Sequence, residues 1–135
     1  MIVILDDESR RLAAMKVALS KRLPDYRVAT FANAADTIEW LQDNLAEVTL
    51  ISLDHDLLPS GPDAPDPGSG RDVADFLASR SPVCHVIIHT TNSMAAPSMQ
   101  MVLDDAGWPN SRVCPYGDLD WVTEWWIREV ADHVS

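Results

Sequence analysis

Short apolar runs alternate along this chain with segments whose apolar residues recur three and four apart. "MIVIL" opens it as a continuous apolar run, and from about Ser9 to Leu23 the residues Leu12, Met15, Leu19 and Leu23 mark one face of a helix that Pro24 stops. "YRVATF" alternates as a strand does, and Asn33 caps a second helix with an apolar face through Ala34, Ile38, Leu41 and Leu45. "VTLISL" predicts a third strand, "GRDVADFLASR" a third helix, "CHVIIH" a fourth strand, "SMQMVLDDAGW" a fourth helix closed near Gly107, and "SRVCPY" a fifth strand. Asp118 opens a last helix, "LDWVTEWWIREVADHV".

Five strand–helix repeats predict a single α/β domain over residues 1–135, a doubly wound five-stranded parallel sheet with helices on both faces. The flavodoxin-like strand order 2-1-3-4-5 is the expectation. No internal repeat or linker interrupts the pattern. The one low-complexity patch is "LPSGPDAPDPGSG", a Pro/Gly-rich loop between the third strand and the third helix, expected to pass over the ligand-binding edge. Its Asp63 and Asp66 are second-rank cation ligands.

Composition narrows the function. A formal net charge of -11 argues against a general nucleic-acid surface, which needs clustered Lys and Arg, although an RNA end can still enter a local site. The start lacks the basic flank of a signal peptide, and no apolar run approaches membrane-spanning length, so a cytoplasmic protein with no membrane partner is expected. Cys84 and Cys114 stand outside any metal-ligand spacing and are read as buried thiols, with a regulatory disulfide as the alternative. Trp40, Trp108, Trp121, Trp125 and Trp126 are read as packing residues. Trp125 and Trp126 cannot both face inward, so the last helix is a candidate homodimer surface.

The chemistry gathers where strands end. In open α/β sheets ligands bind outside the carboxyl ends of the strands, near the switch in strand order. Strand one ends in "LDDE", strand three in "LDHD" and strand four in "HTTN", which brings Asp6, Asp7, Asp54 and Asp56 to one edge with His89, Thr90, Thr91 and Asn92. Clustered carboxylates repel, and a hard divalent cation relieves them; oxygen donors without a cysteine cluster favour Mg2+ or Mn2+ over zinc. Simpler roles compete for each residue. Asp7 and Glu8 suit a helix N-terminus, Thr91 and Asn92 suit a cap on the fourth helix, and His55 can point away from the site because strand side chains alternate.

"VILDDE", "ISLDHD" and "VIIHTT" together resemble response-regulator receiver domains over nearly the whole chain. The resemblance matches Asp54 to the phosphoacceptor, Asp6 and Asp7 to the metal-binding acidic pair and Thr90 to the hydroxyl residue. Receivers carry Lys then Pro at the end of strand five, where this chain has Cys114 and Pro115. "LDDE", "SLDHDL", "HTTN" and the later "GW" more narrowly resemble cyclic-phosphate processing receiver-like domains. That pattern places an Arg directly after the acidic triplet, where Ser9 stands with Arg10 and Arg11 next.

The resemblance implies an enzyme that hydrolyses a cyclic phosphate with a divalent cation on Asp6, Asp7, Asp54 and Asp56. The substrate would be a phosphorylated small molecule, a nucleotide or an RNA 2',3'-cyclic end. His89, Asp54 and His55 would be catalytic, with His89 the first choice for proton transfer, and Thr90, Thr91 and Asn92 would bind phosphate oxygens. The alternative is a receiver, intact or degenerate, that serves as a signalling or protein-interaction module. "DHD" also resembles the DxD of haloacid-dehalogenase phosphatases, which place it on a first strand rather than a third.

Overall fold

The computed structural model describes residues 1–135. Its strands are β1 (Ile2–Leu5), β2 (Val28–Phe31), β3 (Leu50–Leu53), β4 (His85–Ile88) and β5 (Asn110–Arg112). They form one parallel sheet, as the alternation of elements predicts, in the expected flavodoxin-like order β2-β1-β3-β4-β5. The helices are α1 (Ser9–Arg22), α2 (Ala34–Asn44), α3 (Gly70–Ala78), α4 (Ala95–Asp105) and α5 (Ile127–His133). A short 3-10 turn, Leu45–Glu47, follows α2. No helix is long and apolar enough to cross a membrane.

The period of two along each strand sorts the core into two layers. Val3, Leu5, Ile51, Leu53, Val86 and Ile88 pack with the buried faces of α2, α3 and α4. Ile2, Ile4, Leu50 and Ile87 face α1 and the last helical segment. Ser52 sits among this second set, in register between Ile4 and Ile87, as a polar side chain with no exposure.

Three local expectations are corrected, and the face of α2 gains a member. The apolar face of α2 runs through Ala34 and Leu41, both buried, with Ile38 and Leu45 partly buried against the same core, and Thr37 joins it as a buried polar member. Thr37 can be buried because its hydroxyl donates to the Asn33 carbonyl at 2.8 Å, which satisfies it within the helix. Strand β5 ends at Arg112, so Cys114 and Pro115 lie beyond the sheet, and Cys114 is exposed rather than buried. The last helix does not start at Asp118, whose carboxylate instead accepts from Arg10 at 2.9 Å. It opens as a π-helical segment, Val122–Trp126, in which the Ile127 N–H bonds to the Val122 carbonyl five residues back. In a regular α-helix residues five apart point well away from one another; here Trp121 and Trp126 are both buried while Trp125 is 58% exposed.

Candidate metal and phosphate site

Asp6 follows the last residue of β1 and is fully buried. It survives there because every one of its charge sites is engaged. Arg11 donates to it through both Nε and Nη2, each at 2.9 Å, and the Glu8 N–H adds a third bond at 2.9 Å. The fourth donor is Nε2 of His89, 3.0 Å from Oδ2. Burial works to raise this carboxyl, but the bonds from His89 and Arg11 outweigh it and bring Asp6 down to about 2.

His89 is held from both sides. Its Nδ1 lies 2.7 Å from the Ser52 hydroxyl, which also accepts the indole N–H of Trp126 at 2.9 Å. With the Ser52 oxygen already accepting from Trp126, its own hydrogen is free for Nδ1. The imidazole then carries its hydrogen on Nε2 and donates it to Asp6. No buried side-chain nitrogen or oxygen in the protein lacks a partner, so this polar row through an apolar layer is fully satisfied. Trp121 flanks the imidazole with ring centroids 6.0 Å apart. The side chain of His89 has no exposure, and both nitrogens are bonded within the protein. A substrate oxygen therefore reaches neither without breaking one of these bonds, which limits the expected role of His89 as a free proton carrier.

Asp54, 5% exposed, closes β3 and receives Nη2 of Arg11 at 3.1 Å. Burial, reinforced by the charge of Asp6, pushes its carboxyl up to about 6 against the attraction of Arg11. Asp7 accepts the Leu58 N–H at 2.7 Å through Oδ2, and its Oδ1 stands 4.0 Å from Arg11. Helix capping falls to Glu8, whose carboxylate accepts from the N–H groups of Arg10 and Arg11. One oxygen from each of Asp6, Asp7 and Asp54 lies within 4.8 Å of the others. This all-carboxylate donor set fits magnesium or manganese. Arg11 occupies the same space and offsets part of the charge, so a cation there has to shift the guanidinium.

Asp56 is not one of this trio, although it lines the same cavity as Asp7 and Asp54. After Asp54 the chain turns to make an antiparallel bridge between Asp56 and Ser69. The Asp56 carboxylate meets His55 Nδ1 at 2.9 Å and Asn92 Nδ2 at 3.2 Å, at the rim of the site. Bonds from His55 and Asn92 hold that carboxyl below its usual range. Asn92 has the structural role allowed for it as well, its Oδ1 accepting from the N–H groups of Met94 and Ala95 as α4 begins. The Thr90 hydroxyl accepts the Asn92 N–H at 3.1 Å, and Arg112 grips the Thr90 carbonyl at 2.9 Å.

These groups frame a cavity of about 390 Å³ lined by Asp7, Glu8, Arg11, Asp54, Asp56, Leu58, His89, Thr90, Thr91 and Pro115. From the Pro/Gly-rich loop only Leu58 reaches it. The rest of that loop folds toward the start of α2, where the Pro67 carbonyl accepts the Ala34 N–H and Asp66 lines a different hollow with Asn33. The loop therefore does not cover the site, and neither Asp63 nor Asp66 joins the carboxylate cluster. Gly70 explains how the chain returns. A Cβ there would stand 1.9 Å from the Asp54 carbonyl, so only glycine lets α3 begin against the end of β3.

Sequence reasoning missed Arg11, Ser52, Trp121 and Trp126 as parts of the site. Arg11 falls four residues after Asp7, a helical spacing that would have placed it over the acidic pair. Ser52, a lone hydroxyl inside the apolar "LISL", carried a signal too.

Five parallel strands in this order, with acidic groups at the ends of β1 and β3 and a threonine after β4, define a receiver domain. The sequence model of the family described as cyclic-phosphate processing receiver domain matches residues 1–105, and the chain belongs to that family. Among solved structures, a response regulator receiver domain from Rhodospirillum rubrum is similar at 16% identity and a TM-score of 0.68, over 96% of this chain and 89% of its own. The phosphorylated cyanobacterial phytochrome response regulator RcpA is similar at 16% identity and 0.72, over 97% and 90%. The Mn(2+)-bound form of response regulator Rcp1 is similar at 14% identity and 0.68, over 97% and 91%. Identities this low speak for the fold. No curated protein matches the chain.

Proposed function

We propose that the domain hydrolyses a cyclic phosphate ester with a divalent cation held by Asp6, Asp7 and Asp54. The observation that carries this reading is the carboxylate trio within 4.8 Å, two of whose members, Asp7 and Asp54, line a cavity together with Thr90 and Thr91, in a member of the cyclic-phosphate processing family. When bound, magnesium or manganese supplies charge neutralisation at the phosphate oxygens and an activated water.

The protein's own groups do the rest. Arg11 presents a planar fork that, once shifted from Asp54, pairs with nonbridging phosphate oxygens. Thr90 and Thr91 bind the same phosphate. His89, oriented by Ser52, keeps Asp6 ionised and fixed in place. Water adds to phosphorus, one ring P–O bond breaks, and the proton released by the water ends on the departing ring oxygen, leaving a phosphomonoester. His55 does not line the cavity but meets its wall through Nδ1 on Asp56; with its side chain 21% exposed it has a second nitrogen unbonded, and a side-chain turn toward the phosphate would let it carry that proton. A strained 2',3'-cyclic phosphodiester on a nucleotide or RNA end suits so lightly equipped a site. A panel of 2',3'-cyclic, 3',5'-cyclic and linear phosphodiesters with each metal tests the reading, and inertness toward all of them overturns it.

A second reading, a receiver that signals or docks a partner, is favoured by Asp54 at the end of β3 and by the exposed Trp125 on the last helix. Against it, Cys114 stands where receivers carry the lysine that holds a phosphoryl group. Addition of acetyl phosphate separates the two: the receiver reading requires a lasting mass increase on Asp54, and the hydrolase reading does not.

A further inference from the structure

The last helix meets β4 at both ends of the strand. At the carboxyl end the π-helical segment supplies Trp126 to the Ser52–His89 pair. At the amino end α5 supplies Glu129 and His133 to His85. His85 and His89 lie four residues apart on an extended chain, so roughly 13 Å separates the two places.

His85, Glu129 and His133 form a compact donor set. One ligand atom from each lies within 4.8 Å of those from the other two. Glu129 and His133 are four residues apart on α5 and share a face, with His133 Nε2 3.0 Å from Glu129 Oε1. The imidazoles of His85 and His133 lie face to face, centroids 3.8 Å apart and planes within 4°. His85 Nε2 is anchored by the Ser111 hydroxyl at 2.8 Å, the kind of neighbouring bond that orients a ligating imidazole. Both histidines line a cavity of about 730 Å³, which leaves room for a solvent ligand.

We propose that His85, Glu129 and His133 bind zinc, at a site separate from the carboxylate cluster. Two imidazoles and one carboxylate with an open fourth position form a zinc-type donor set, whereas the all-carboxylate set at the other end of the sheet suits magnesium. Donors around a tetrahedral zinc stand about 3.4 Å apart, given bond lengths of roughly 2.0–2.2 Å. Closure from the 4.8 Å limit thus requires a contraction of up to about 1.4 Å and a turn of the stacked rings so that their lone pairs converge. The His133 and Glu129 side chains, 39% and 29% exposed, are free to make it, while Ser111 holds His85 as the fixed ligand. Zinc there fastens α5 to β4, and α5 continues directly from the segment that holds Trp126 against Ser52.

The test uses the full chain, stripped with a chelator and titrated with zinc chloride by calorimetry and thermal shift, and with cobalt(II) by visible absorption. The expected result is one equivalent of zinc bound, a rise in melting temperature and cobalt d–d bands of a four- or five-coordinate centre. His133→Ala and Glu129→Gln should each weaken zinc roughly tenfold or more while keeping the response to magnesium, and Asp54→Asn should do the reverse. The proposal is overturned if zinc leaves the wild type unchanged, if the His133 and Glu129 variants bind zinc as the wild type does, or if Asp54→Asn abolishes zinc binding.

Discussion

The hydroxyl of Ser52 lies 2.7 Å from Nδ1 of His89 and accepts the indole N–H of Trp126 at 2.9 Å, so the last helical segment reaches the acidic site through two buried bonds. Ser52→Ala removes the hydroxyl and leaves both the indole N–H and Nδ1 without partners in an apolar layer. A stranded buried polar group costs about 1–3 kcal/mol. Urea unfolding of Ser52→Ala should show a loss in that range or above it. A change under about 0.5 kcal/mol would show that the row contributes nothing.

Gly70 is the second sensitive point. With a Cβ 1.9 Å from the Asp54 carbonyl, Gly70→Ala must move either α3 or the end of β3. Overpacking of this kind typically costs about 1–3 kcal/mol, and it should also weaken magnesium binding because Asp54 moves. Unfolding and magnesium titration of the same variant check both effects. Unaltered stability would mean that the approach of α3 to β3 is looser than described.

The pH dependence follows from two carboxyls shifted in opposite directions. Asp54 rises from 3.8 to about 6 through burial, so its stabilising contribution is full below pH 3.8 and is lost as pH rises through 6. Asp6, lowered to about 2, contributes above pH 3.8 and loses that contribution as pH falls through 2. His85, held below its usual value by burial and the nearby His133, acts against Asp54 because the unfolded chain takes up protons there first as pH falls below 6.5. The difference between wild type and Asp54→Asn isolates Asp54. In metal-free buffer the variant should be the more stable at pH 7, by on the order of 3 kcal/mol for a two-unit shift, with the advantage vanishing near pH 4. Urea unfolding at both pH values checks this, and equal stabilities at pH 7 would contradict it.

Magnesium should reverse that order. Only the folded chain brings Asp6, Asp7 and Asp54 together, so binding stabilises the native state. Millimolar magnesium should raise the melting temperature of the wild type but not that of Asp7→Asn or Asp54→Asn. An equal rise in all three would place the cation elsewhere.

The alternation of apolar runs and helical faces was enough to foretell a parallel sheet covered by helices, because buried parallel strands and their covering helices have distinct periods; the strand order was the flavodoxin-like choice among doubly wound sheets and agrees with the fold. The strand-end rule likewise brought Asp6, Asp7, Asp54 and Thr90 to one edge. Asp56 reached the same cavity too, but its distance from the trio was not legible, because the turn after β3 depends on the bridge to Ser69 and no local residue signals that partner. The Ser52–Trp126 bond was illegible for a similar reason. It spans 74 positions and depends on a π-helical turn, whereas helical periodicity read from the chain assumes a regular α-helix. Arg11 was in view but unassigned, since its reach to Asp54 across β1 and β3 appears only once the strands are side by side.

Turnover of a cyclic phosphate at the carboxylate trio can be observed on the phosphorus itself. The most direct measurement follows a 2',3'-cyclic nucleotide by phosphorus-31 NMR with the metal-free protein, with magnesium added, and with Asp54→Asn plus magnesium. The account predicts that the strained-ring resonance gives way to a phosphomonoester only for the wild type with magnesium. An unchanged cyclic resonance in that sample, or the same conversion by Asp54→Asn, would contradict it.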